Sequence, residues 1–219
     1  MNIVPQETSL VIAGAWNPAI LTPPWVMSHA MEGQDPNAQM VQAFFPAGLN
    51  GAFEMPRFAM PGFQYSARMD ALILLPGATA EESYALVEGV ARSALRHLCH
   101  TPIGGLGYNF EFRDGAPRPE WLGVFGDSQL DLVDASEGLD VTRTTLATSF
   151  SNGTALVNVQ RYTEGHELIV KFNFHHQAND ARSALEVLGE RGRGSFWAHH
   201  QTASRIVDRL YPEGERGDD

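Results

Sequence analysis

Apolar positions along the chain follow two rhythms, and the switches between them mark out the elements. Leu10, Val11, Ile12 and Ala13 belong to a β-prone run expected as a first strand over residues 9–16. Pro18, Pro23 and Pro24 then forbid regular helix or central strand, so Trp16, Ile20, Leu21 and Trp25 are expected on an extended, turn-rich arm. Residues 56–75 hold two apolar stretches with Pro61-Gly62 as the bend between them, and 65–75 is expected as one strand. From there Leu86, Val87, Val90, Ala91, Ala94, Leu95 and Leu98 recur at helical spacing. Thr79 is the expected cap and Glu81 and Glu82 sit favourably in the first turn, which gives a helix over 79–100 with its apolar face on a sheet. Pro102-Ile103-Gly104-Gly105 breaks that helix, and 106–112 returns as a strand, completing a β-α-β unit.

Residues 120–133 fit a short helix around Trp121 to Phe125 and a second apolar piece around Leu130, Leu132 and Val133. Beyond them the alternation is plain: strands over 141–150, 154–162 and 166–175, joined at Ser151-Asn152-Gly153 and Glu164-Gly165, predict a three-stranded antiparallel meander. In its last strand Leu168, Val170, Phe172 and Phe174 share one face, the core side, while Ile169, Lys171, Asn173 and His175 share the other. Helical spacing returns at Leu185 and Leu188 and again at Phe196, Ile206, Val207 and Leu210, with a flexible elbow at Gly189, Gly192 and Gly194 between two helices. The expected fold is α+β: one domain over 1–212, a mainly antiparallel sheet with helices on one face, and a flexible acidic tail over 213–219.

Composition narrows the function classes. The chain has 219 residues, 43% hydrophobic and 19% charged, with no apolar run long enough to cross a bilayer and no secretory signal, so a cytoplasmic protein without membrane partners is expected. Net charge is −11 and Lys171 is the sole lysine among dispersed arginines, which argues against nucleic acid as the main ligand. Cys99 is the one cysteine, which removes intrachain disulfides and cysteine-built zinc sites, and its apparent helical setting predicts a small buried hydrophobe. Gly104 and Gly105 precede a strand, whereas a phosphate loop must open a helix, so no cofactor motif is legible.

Candidate chemistry concentrates at His175-His176-Gln177-Ala178-Asn179-Asp180, where an apolar strand ends just before a helix-forming run. A neutral imidazole oriented by a carboxylate is suited to general-base work. The spacing resembles the HHxxxDG motif of the chloramphenicol acetyltransferase and condensation-domain superfamily, with Ala181 where that family has glycine. The resemblance implies His176 as the base of an acyl transfer from a coenzyme-A-linked donor and Asp180 as a structural acid. His199 and His200 form a second pair, but no two of these histidines have the i, i+4 spacing of a helical metal site. Exposed helix polarity is their expected role, and no metal is expected. Glu81/Glu82 and Asp131/Asp134 are expected as solvated or capping carboxylates. The serines at 149, 151 and 195 lack the G-x-S-x-G elbow of a nucleophile.

The order strand, helix, glycine-marked strand at Gly104 to Phe110, meander and closing helix is similar to a sporadically distributed family of uncharacterised bacterial proteins. Tyr108-Asn109 and the aromatic-His stretch at Phe196 to His200 occupy matching places. That resemblance implies an α+β fold and suits accessory, mobile-element or defence-associated roles. The leading expectation is therefore a non-catalytic binding or assembly protein with a protein partner or a homo-oligomer, using Trp16, Ile20, Leu21 and Trp25 as anchors. The alternatives are the acyltransferase with His176 as base, and a small-ligand sensor with a pocket between sheet and helices.

Overall fold

A computed structural model describes residues 1–31, 42–44, 56–126, 143–151, 153, 155–189 and 195–212. Among them is one ten-stranded antiparallel sheet. Its strands are β1 (Asn2–Ile3), β2 (Ser9–Gly14), β3 (Gln42–Phe44), β4 (Arg57–Met60), β5 (Phe63–Ala67), β6 (Ala71–Pro76), β7 (Ile103–Asp114), β8 (Thr145–Ser151), β9 (Leu156–Glu164) and β10 (Glu167–His176). They lie in the order β3-β4-β5-β6-β2-β7-β10-β9-β8, with β1 paired to β7. The helices are α1 (Pro23–Trp25), running on as a π turn over Val26–Ala30, then α2 (Glu81–His97), α3 (Pro119–Leu122), α4 (Ala181–Leu188) and α5 (Phe196–Leu210).

The predicted α+β architecture is present, and the β-α-β unit carries a refinement. Strands β6 and β7 flank α2 in sequence but both pair with β2, which lies between them. The expected single strand over 65–75 is a hairpin, β5 and β6, because Arg68, Met69 and Asp70 turn the chain. The N-cap of α2 falls one residue later than predicted: Ala80 occupies it and makes no side-chain capping bond.

The helices cover one face of the sheet. Leu10, Ile12, Tyr65, Leu74, Phe110, Phe172 and Phe174 project into that layer and meet Tyr84, Val87, Ala91 and Leu95 of α2 and Phe196 and Val207 of α5. Burying each of those large apolar side chains stabilises the fold by about 1.5–3 kcal/mol. Among the described residues no helix is long and apolar enough to cross a membrane.

The arm departs from expectation. Pro23 and Pro24 open a short helix, where proline's fixed φ is an advantage and its missing N–H costs nothing. Trp16 and Leu21 lie in the core, 4% and 1% exposed. Trp16 Nε1 donates to the Ile12 carbonyl at 2.9 Å, and Tyr65 donates to the Leu21 carbonyl at 3.0 Å. Trp25 is half-buried and stacks on His29, which leaves Ile20 as the exposed apolar side chain of the four. Cys99 is exposed, just past the end of α2, rather than buried within it. The expectations for the tail at 213–219, for Asn152, Gly192 and Gly194, and for Leu130, Asp131, Leu132, Val133 and Asp134 fall outside the described residues.

Candidate functional site

β10 aims its alternate side chains at two different environments. On the helix side His176 closes the row begun by Phe172 and Phe174 and is 6% exposed. Its Nε2 lies 2.9 Å from Nε2 of His199 on α5, so one ring donates and the other accepts. Tyr108 packs edge-on against His176 and, 4.7 Å between centroids, against His199. Its hydroxyl donates to Glu88 Oε1 at 3.3 Å, and that oxygen also accepts the Phe196 N–H at 2.8 Å. Glu88 of α2 thus satisfies a backbone donor that the first turn of α5 cannot satisfy itself. Burial raises the Glu88 carboxyl above its ordinary range, opposed by the Phe196 N–H, by Arg92 and by the Tyr108 hydroxyl. Burial, with His176 beside it, pulls His199 down to about 4. The cluster is a sealed polar pin holding α2 and α5 to the sheet.

The structure places the two residues of the acyl-transfer expectation in different environments. A general base must touch its substrate, and His176 faces a histidine and a tyrosine in the interior. Asp180 is exposed and caps α4: its carboxylate accepts the Ser183 N–H at 2.7 Å in a capping box. His199 and His200 are not exposed polarity either. His199 is buried, and half-buried His200 lies among the rings of Tyr84, Phe110, Phe112 and Trp197. Among the described residues no group of three or more His, Cys, Asp or Glu could hold a metal ion.

The opposite face of the sheet carries a different organisation, which no motif in the sequence marks. Ser149, Asn158, Asn173, Asn109 and Ser9 stand side by side on β8, β9, β10, β7 and β2, each directly opposite the next in register. Ser149 donates to Asn158 at 2.7 Å, Asn158 to Asn173 at 3.4 Å, Asn173 to Asn109 at 2.8 Å and Asn109 to Ser9 at 3.2 Å. The donors all run one way across five strands. Each asparagine uses one N–H and one acceptor site within the row, which leaves a second N–H and further lone-pair capacity on each.

One register step away lie Gln160, Lys171 and Glu111. The Glu111 side chain is 2% exposed and its Oε1 accepts from Arg113; Oε2 meets Lys171 Nζ at 2.8 Å as an ion pair rather than an aligned hydrogen bond. Burial works against the Lys171 ammonium, but Glu111 and the Tyr162 hydroxyl outweigh it and raise its pKa. Two glycines of β7 make room on this face. A Cβ on Gly107 would lie 2.9 Å from Asn173 Nδ2, and one on Gly105 would lie 2.8 Å from His175 Cε1 and 3.1 Å from the His176 carbonyl oxygen. Above the row is a hollow of about 350 Å³ walled by Ser9, Asn109, Asn158, Gln160, Lys171 and Asn173.

No protein-family model, curated protein or solved structure matches this chain. Asparagine is depleted from strands because its amide competes with the backbone. Three of them at mid-strand on adjacent strands, with two strand glycines beside them, place local propensity and sheet stability in conflict, and such conflicts concentrate at functional sites. A second hollow, about 500 Å³, lies between Ala116, Phe125, Arg143 and His166. Its polar side chains are Arg143, Thr144, Thr163 and His166. The signal for the row was in the turns: the hairpin that pairs Glu164 with Glu167 also sets Asn158 opposite Asn173.

Proposed function

We propose that the protein is a non-catalytic binding protein whose working surface is the open face of the sheet, and that it takes an uncharged, polyhydroxylated ligand such as a sugar or polyol. The observation that carries this reading is the asparagine row, Asn158-Asn173-Asn109, at the floor of a hollow of ligand size. Each carboxamide offers a donor and an acceptor at one position, which matches the dual character of a hydroxyl. An ion is a poorer match, because Lys171 is already committed to Glu111. The buried His176-His199 pair supports the absence of a chemical step at the histidines.

A panel of mono- and disaccharides and linear polyols, titrated into 15N-labelled protein, tests the proposal. At least one should shift the side-chain NH2 resonances of Asn109, Asn158 and Asn173 together, while the buried Trp16 indole stays unmoved. A panel that shifts none of the three amides contradicts the reading.

A further inference from the structure

The sheet ends at β8, and this edge lacks the usual protections. Natural edge strands are blunted by lysine, proline, bulges or shortness. β8 runs seven residues, Thr-Leu-Ala-Thr-Ser-Phe-Ser, pairs with β9 without a register break and contains no charged residue and no proline. Among the described residues nothing pairs with its outer side. Every residue but Leu146 is exposed, including Phe150 at 54%. The other end of the sheet, β3, is three residues long.

The strand is also complementary to itself. Antiparallel pairing about Thr148 places that residue opposite its own copy, Ala147 opposite Ser149, Leu146 opposite Phe150 and Thr145 opposite Ser151. Leu146, Thr148 and Phe150 share the helix-side face, so each exposed Phe150 meets a Leu146 that already packs on the core. The small side chains of Ala147 and Ser149 meet on the other face. Two chains of net charge −11 repel one another, and a charge-free edge is where that repulsion is least.

We propose that a second copy of this chain adds to β8 across a two-fold axis through Thr148, joining the two sheets into one. Such an isologous edge closes the assembly at two subunits. The strand is about 24 Å long and a sheet about 10 Å deep. That footprint is well below the ~800 Å² per partner of a standard interface. The dimer is accordingly weak and reversible. This inference is independent of the ligand reading.

Sedimentation velocity over a dilution series tests it, with circular dichroism confirming that each variant is folded. Wild type should move from 24.0 kDa toward twice that mass as concentration rises. Thr148→Lys and Thr148→Glu, each exposed and each facing its own copy, should both be monomeric alone. An equimolar mixture of the two should recover the dimer. Phe150→Thr, a strand-compatible change, should weaken wild-type association about five-fold. A wild type that stays at 24.0 kDa throughout, a dimer that persists in either charge variant, or a mixture that fails to recover it overturns the proposal.

Discussion

His199 should make the fold sensitive to mild acid, and the size of the effect follows from its setting. The ring is 9% exposed, and burial together with His176 lowers its pKa from 6.5 to about 4. A base with a lowered folded-state pKa binds its proton more readily in the unfolded chain. Its contribution to stability is therefore complete above the unfolded value and is lost as pH falls from there toward the folded value. The full difference amounts to about 3 kcal/mol, of which about 2 kcal/mol is gone by about pH 5. Glu88 acts in the opposite sense: its raised pKa means the folded state holds a proton more tightly, so its contribution grows as pH falls through that raised value. Comparison with His199→Gln isolates the histidine, because glutamine does not titrate yet can still partner Nε2 of His176. Urea unfolding at about pH 7.5 and about pH 5 should show wild type losing about 2 kcal/mol more than the variant over that interval. Equal losses in the two proteins would refute the claim that burial holds His199 neutral.

Glu88→Leu strands the Tyr108 hydroxyl and the Phe196 N–H and should cost about 2–3 kcal/mol, whereas Glu88→Gln keeps an acceptor and should cost less than half of that by denaturant titration. Gly105→Ala drives a Cβ against the His176 carbonyl, which cannot step aside as a side chain can, and should lower stability by about 1–2 kcal/mol in thermal melts. Trp16→Ala removes a core side chain and an indole hydrogen bond, so it should destabilise by about 3–5 kcal/mol; a variant of native stability would restore Trp16 as a surface anchor.

Much of the fold was legible in the sequence because period and punctuation agreed. The meander followed from alternation between two turns, and the inward row of Leu168, Val170, Phe172 and Phe174 was assigned to its correct face. α2 followed from the spacing of Val87, Val90, Ala91, Ala94 and Leu95. What escaped depended on distant parts of the chain. Nothing local distinguishes a histidine that ends a strand as a base from one that ends it against another histidine 23 residues on. Trp16 and Trp25 looked like anchors because prolines surround them, yet those same prolines opened a helix that folds the arm back. Nothing local marks Glu88 on its apolar helical face, because its partners, Tyr108 and Phe196, come from β7 and α5. Lys171 stands out in the sequence as the sole lysine, but its partner Glu111 is reached only through the pairing of β10 with β7.

The central claim is that the asparagine row serves binding rather than the stability of the sheet, and one variant separates the two. Asn109, Asn158 and Asn173 should be replaced together by threonine, which favours strands and fits a half-exposed face. Its unfolding free energy and its response to the saccharide and polyol panel should then be measured on the same sample. The account predicts a protein as stable as wild type to within about 1 kcal/mol, or more stable, that no longer binds the compound wild type binds. A triple variant that is several kcal/mol less stable, or one that binds as wild type does, would contradict it.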